Sequence, residues 1–255
     1  SIVEWGRPAE LVVVNTCSVT ESGEARCRNV IRQTLRRSPE AFVVVVGCYA
    51  QIGLEALRRI PGVDLIVGTD YKMKFLHLID RPRKLPEPVV LHSRLIDADD
   101  FEVEGTGRYR TTRANLKIQD GCDFFCSFCI IPFTRGRERS RKLEDVVREA
   151  RELVEQGHRE IVLTGVNIGC YRNEGRTFLD LVQRLEEVRG LRRIRITSIE
   201  PTTIDSTVVE RMARSEKLCS YLHLPIQSGD DRVLEGMNRR YRTGDFRVFL
   251  EQVVR

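Results

Sequence analysis

Apolar residues arrive along this 255-residue chain in short runs, separated by amphipathic stretches. Leu11 to Asn15, Phe42 to Gly47 and Asp64 to Gly68 are nearly continuous apolar segments of strand length. Between them, residues 24–37 carry a helical pattern with Val30, Ile31 and Leu35 on one side, and a second helix is predicted over 52–59. Continuous apolar strands alternating with helices predict a parallel sheet covered on both faces. Residues 80–112 break this rhythm with Pro82, Pro86, Pro88 and a polar stretch ending in Gly105-Thr106-Gly107. They read as an interdomain connection with a strand at Val89 to Leu91.

From residue 113 the βα rhythm resumes. A strand over 114–119 leads into a cysteine-rich loop, and residues 143–155 place Leu143, Val146, Val147, Ala150, Leu153 and Val154 on one helical face. Strands predicted over 160–164, 193–199 and 221–226 precede helices near 178–188, 207–214 and from about Gly244. In that frame Cys219 opens a buried strand as a packed thiol, and His223 is a hydrogen-bonded core residue. The expected fold class is α/β: a small parallel-sheet domain over 1–80, a connection over 81–112, and four βα units of a partial barrel over 113–255. Four units do not close a barrel. The chain also opens on Ser1 and stops within a helical pattern at Arg255, so it reads as an internal fragment.

Composition narrows the classes. Hydrophobic residues make up 41% and charged residues 31%, an ordinary globular balance. The longest apolar run is of strand length, far short of a membrane span, and no export signal opens the chain. Eight cysteines in that setting read as thiols and metal ligands, and the expected compartment is the cytosol. The net charge of +5 does not by itself establish nucleic-acid binding. The one dense basic patch, Arg135 to Lys142, follows the cysteine loop directly, and its arginine forks suit phosphate or carboxylate groups.

That loop carries the sharpest chemistry. Cys122, Cys126 and Cys129 are spaced C-x3-C-x2-C. Three thiolates on a short loop can hold three irons of a cubane and leave the fourth iron open, whereas electron-transfer clusters and structural zinc sites take four ligands. A zinc knuckle completed from afar, or three reduced core thiols, are the alternatives. In βα repeats, ligands sit beyond the C-terminal strand ends. The cysteine loop, Thr164-Gly165-Val166-Asn167, Ser198-Ile199-Glu200 and Gln227-Ser228-Gly229 all fall at such positions.

At this point the residues resemble the radical S-adenosylmethionine (SAM) methylthiotransferases. The strings Asn15 to Thr20, Gly47 to Gln51, Leu116 to Cys122 and Cys129 to Phe133 carry the likeness. Leu163 to Gly169, Ser198 to Pro201 and His223 to Gly229 point to the branch acting on threonylcarbamoyladenosine in tRNA. The resemblance implies that Cys122, Cys126 and Cys129 hold a 4Fe–4S cluster whose open iron chelates SAM, giving a 5′-deoxyadenosyl radical. It implies that Phe128 packs near the adenine, that Thr164 and Gly165 contact the methionyl amine, and that Glu200 and Gln227 are polar contacts to SAM. It further implies a second 4Fe–4S cluster on Cys17 and Cys48, with a third cysteine supplied by relatives from an earlier strand and missing here. Cys27 is expected to face away from that site.

The implied function is methylthiolation of N6-threonylcarbamoyladenosine next to the tRNA anticodon. The implied partners are tRNA, SAM and a low-potential electron donor such as flavodoxin or ferredoxin, with no membrane. Two alternatives remain open. One is the same chemistry on isopentenyladenosine or on a ribosomal-protein aspartate. The other is a non-catalytic metal-binding protein that interacts with RNA.

Overall fold

In the computed structural model, residues 2–4, 7–18, 20–94, 96 and 111–254 are described. Gly105-Thr106-Gly107 and both terminal residues lie outside them. The chain divides into two units, one of Ser1–Glu102 with Cys129–Gly136, the other of Val103–Phe128 with Arg137–Arg255.

The first unit is built on strands β1 (Leu11–Thr16), β2 (Phe42–Gly47), β3 (Leu65–Val67) and β4 (Val89–Leu91). They form one parallel sheet in the order β1-β2-β3-β4. All six β2 residues are buried, as a central strand covered on both faces requires. Helix α1 (Glu21–Arg37) starts one turn earlier than its apolar pattern suggests, because Thr20 caps it by accepting from Gly23 N at 3.0 Å. Two short helices, α2 (Cys48–Ile52) and α3 (Leu54–Arg58), meet at Gly53. Val89–Leu91, expected within the connection, pairs with β3 and extends this sheet. Asp64 is fully buried and accepts from Val43 N (2.7 Å), Leu85 N (2.8 Å) and Lys84 Nζ (2.9 Å), tying the 84–85 segment to the sheet edge. The short helix α4 (Ile131–Arg135) also belongs to this unit.

The second unit holds a three-stranded parallel sheet of β5 (Arg113–Lys117), β8 (Glu160–Thr164) and β11 (Arg193–Ile196), in the order β11-β8-β5. Just past β5 the chain turns into β6 (Gln119–Asp120), antiparallel to β7 (Arg139–Ser140). Helix α5 (Leu143–Glu155) buries the apolar face that its pattern predicts, while α6 (Phe178–Glu186) buries Phe178, Leu181, Val182 and Leu185, and α7 (Ser206–Arg214) buries Val208 and Met212. The fully buried Leu153, Leu181, Ile161 and Ile194 belong to one core, each side chain contributing about 1.5–3 kcal/mol of burial. A two-residue ribbon, β9 (Arg172–Asn173) with β10 (Arg176–Thr177), precedes α6, and α8 (Asp231–Gly236) and α9 (Thr243–Val254) follow α7.

The fourth strand predicted over 221–226 does not form among the described residues. The chain makes a single parallel bridge, Ile194 with Leu218, and then turns when Tyr221 N bonds Cys219 O at 2.7 Å. Pro225 has no N–H to offer a ladder. His223 consequently lies exposed instead of in a core, and Cys219 is half-buried.

Candidate functional site

Cys17 and Cys48 are the chemistry-bearing residues at the edge of the first unit's sheet. Thr16 stands opposite Gly47 as the last pair of β1 and β2, so the next residue of each strand, Cys17 and Cys48, leaves the sheet at the same C-terminal edge. Cys17 is exposed and Cys48 half-buried. Gly47 makes this edge possible: its φ is +103°, and a Cβ there would lie 2.4 Å from Thr16 O. Cys27 does not face away. Cys17 N donates to Cys27 Sγ at 3.4 Å, and that thiol donates to Cys17 O at 3.5 Å. Cys27 lies one helical turn before Ile31, so it shares the buried face of α1 and packs against the core that holds Val14 and Ile31.

In the second unit, Gln119 organises the strand ends. Its Oε1 accepts from Val166 N (2.8 Å) and Asn167 N (2.9 Å), while its Nε2 donates to Asp120 O (3.0 Å) and Gly121 O (2.8 Å). This fully buried amide joins the start of the cysteine loop to the turn that follows β8. Thr164 ends β8, and its carbonyl accepts from Ile118 N at 3.0 Å. Gly165 sits where a Cβ would meet Ile168 Cγ2 at 2.7 Å and Gln119 Oε1 at 2.9 Å. No larger residue fits that approach.

The cysteine loop continues from Gly121, with Cys122 half-buried and Cys126 buried. Cys129, half-buried, opens the stretch grouped with the first unit. Three consecutive residues after α8 grip the 123–126 segment. Asn238 Nδ2 donates to Phe124 O (3.3 Å) and Phe125 O (3.0 Å), Arg239 Nη1 to Cys126 Sγ (3.2 Å), and Arg240 Nη2 to Asp123 O (2.6 Å). Asn238 adopts φ +56°, a left-handed conformation that asparagine tolerates at a helix end. Arg239 also forms a buried ion pair with Glu200. Burial opposes its charge, but Glu200 and Cys126 outweigh that and hold the guanidinium pKa above its ordinary value.

Phe128 is 55% exposed and Gln227 is exposed with φ +60°. Half of the basic patch turns inward. Arg139 pairs with Asp120 at 3.3 Å and Arg141 with Glu149 in a buried pair, while Arg137 stays exposed over the Phe125 ring at 4.8 Å. Cys170 lies beside Glu138. Burial, then the neighbouring carboxylate, push its thiol pKa well up, and burial raises the Glu138 carboxyl too. Sequence reasoning passed over Gln119, Asn238 and Arg239. Gln119 had a signal in its place immediately before Asp120-Gly121-Cys122, whereas Arg239 had none.

The Radical SAM superfamily profile matches residues 116–253, more than half of the chain. The chain belongs to the radical SAM superfamily. A second profile, the uncharacterized protein family UPF0004, matches residues 1–68. Among relatives, the threonylcarbamoyladenosine tRNA methylthiotransferase MtaB of Bacillus subtilis is 42% identical over 93% of this chain and 54% of its own length. The protein of that name from Aquifex aeolicus is 33% identical over 99% of this chain and 62% of its own. A tRNA-2-methylthio-N(6)-dimethylallyladenosine synthase of Carboxydothermus hydrogenoformans is 35% identical over 97% of this chain and 58% of its own. The chain thus spans somewhat over half the length of the curated relatives it matches. Among solved structures, the radical SAM methyltransferase TsrM of Kitasatospora setae, with cobalamin and a 4Fe–4S cluster bound, superposes with TM-score 0.69 at 16% identity. That match covers 96% of this chain and 56% of the TsrM chain, and it shares the fold.

The donor chemistry of this radical SAM chain suits iron–sulfur ligation. None of its eight cysteines is in a disulfide, and a cationic donor faces Cys126 Sγ. Among the described residues no three His, Cys, Asp or Glu side chains converge on one ion-sized centre, and a cubane, being larger, does not require that they do. No described helix is long and apolar enough to cross a membrane.

Proposed function

We propose that this chain carries the two cluster-bearing domains of a tRNA methylthiotransferase acting on N6-threonylcarbamoyladenosine next to the anticodon. In this reading the domain over 113–255 uses Cys122, Cys126 and Cys129 to ligate a 4Fe–4S cluster. The sheet of β1 to β4 contributes Cys17 and Cys48 to a second. When bound, the cluster and SAM supply a 5′-deoxyadenosyl radical. The protein's share is to bind, orient and exclude water. Gln119 holds the turn carrying Thr164 and Gly165, which present backbone groups to the methionyl end of SAM. Glu200, Gln227 and Phe128 complete the SAM contacts.

The observation that carries the reading is the C-x3-C-x2-C loop leaving β6, within the superfamily match and clamped by Asn238, Arg239 and Arg240. The 42% identity to a threonylcarbamoyladenosine enzyme supports this branch, while a 35% relative names dimethylallyladenosine instead. The reading puts the enzyme in the cytoplasm with a flavodoxin or ferredoxin as electron donor. The test has two arms. Anaerobically reconstituted full-length protein should convert SAM to 5′-deoxyadenosine, and bulk tRNA from a deletion strain should lose its methylthio-threonylcarbamoyladenosine by mass spectrometry. Intact levels of that nucleoside with loss of the dimethylallyl analogue would reassign the substrate, and failure of a loaded enzyme to cleave SAM would remove the activity.

A further inference from the structure

Arg239 is a buried cation whose surroundings are built for two anions. Its side chain is 4% exposed and meets the Glu200 carboxylate on one side, with Nη1 on Cys126 Sγ on the other. Its guanidinium carbon lies 5.1 Å from the centre of the Tyr241 ring, and its backbone N–H bonds Leu234 O at 2.9 Å. Nε and Nη2 are buried and make no hydrogen bond among the described residues, so Glu200 meets the guanidinium as an ion pair and Nη1 carries its bond to Cys126. A guanidinium taken out of water is tolerated only when paired. One carboxylate neutralises it. A second, thiolate contact is then a charge-assisted bond to the sulfur.

Hydrogen bonds to ligand sulfurs are among the determinants of an iron–sulfur cluster's potential. A donor on the thiolate favours the more negative, reduced cluster. We propose that Arg239 is a positioning residue for the Cys126 thiolate, which raises the reduction potential of the cluster on that loop and links it to Glu200, four residues past the end of β11. This inference rests on the assignment of Cys126 as a cluster ligand. The covalent route to the site is long: Arg239 and Cys126 are 113 residues apart. The contact is therefore a tertiary one, supported by the flanking grips of Asn238 and Arg240 on the same segment.

The test uses full-length protein in a Cys17→Ala/Cys48→Ala background, so that a single cluster is titrated. The parent, Arg239→Met, Arg239→Lys and the exposed control Arg232→Ala are reconstituted anaerobically. Midpoint potentials are then read by EPR-monitored redox titration. Arg239→Met should reduce the ratio of reduced to oxidised cluster at a fixed potential by about tenfold, a 59 mV more negative midpoint for a one-electron couple. Arg239→Lys keeps the charge on one nitrogen but loses the planar fork that serves two partners, and should fall between, while Arg232→Ala should match the parent. If Arg239→Met does not fold or take up iron, Arg239→Lys carries the test by itself. Unchanged midpoints in a loaded parent and its Arg239 variants overturn the role of Arg239 alone. A parent that takes up no iron overturns the cluster assignment and this inference with it.

Discussion

Gly47→Ala probes the edge that presents Cys17 and Cys48. Gly47 combines φ +103° with ψ −168°, a region essentially restricted to glycine, and an alanine there costs about 1–3 kcal/mol of backbone strain. The new methyl would also lie 2.4 Å from Thr16 O, 2.7 Å from Asn15 Oδ1 and 3.0 Å from Thr16 N. These are mainly backbone atoms of the adjacent strand, so relief requires β1 and β2 to separate at their last pair, an overpacking cost of about 1–3 kcal/mol. The sum, about 2–6 kcal/mol, is a large fraction of a typical domain's stability. Gly157→Ala isolates the strain, because Gly157 has φ +99° and open space around its missing Cβ. Hydrogen exchange of the Val43 to Val46 amides in the full-length protein reads the first change, and exchange around α5 reads the second. Protection of β2 within about 0.5 kcal/mol of the parent would refute the argument that this edge is closed to a side chain.

Gln119→Ala should leave the buried Asn167 amide and the part-buried Val166 amide without their acceptor, at about 1–3 kcal/mol for the former and less for the latter, and should lower SAM cleavage; urea titration with a 5′-deoxyadenosine assay measures both. Thr177→Ala removes the capping box of α6 and should cost about 1 kcal/mol. The Thr177 backbone N–H and hydroxyl hold the Asp180 carboxyl below its ordinary 3.8, so this contribution is complete above that value and fades as pH falls through the lowered one. A stability curve from pH 6 to pH 2 should therefore be shallower in Asp180→Asn. Asp64→Asn should take one acceptor from the Val43 or Leu85 amide and the carboxylate from part-exposed Lys84, which keeps Ala41 O and Gly62 O, and destabilise the first unit by about 1–3 kcal/mol, read by exchange of the Val43 amide. In cluster-free protein at pH 8, iodoacetamide should alkylate exposed Cys17 well before Cys170, whose thiol is held protonated by burial and Glu138; equal rates by peptide mass spectrometry would contradict that environment.

Local pattern was enough for much of the framework. The apolar run Phe42–Gly47 is a strand buried at every position, and the α5 face has the spacing of its apolar residues, because periodicities of two and 3.6 act over a few residues. The C-x3-C-x2-C spacing likewise needs no fold to be read as a thiolate loop. What misled was context. The 221–226 segment has strand composition, yet after the Ile194–Leu218 bridge the chain turns away. The Arg135 to Lys142 patch looks like an open phosphate-binding loop, yet Arg139 and Arg141 are paired with Asp120 and Glu149.

The α/β alternation, the C-terminal strand-edge positions of Cys17, Cys48 and the triple-cysteine loop, and the family to which they belong are all legible in residue order along the chain. That Cys27 sits beside Cys17, that Gln119 joins two strand ends, and that Arg239 bridges Glu200 to Cys126 emerges with folding. Strand and helix formation follow from neighbours along the chain, whereas the partner of a buried charge or amide is whichever group folding brings to it, here from 113 residues away for Arg239 and 47 for Gln119.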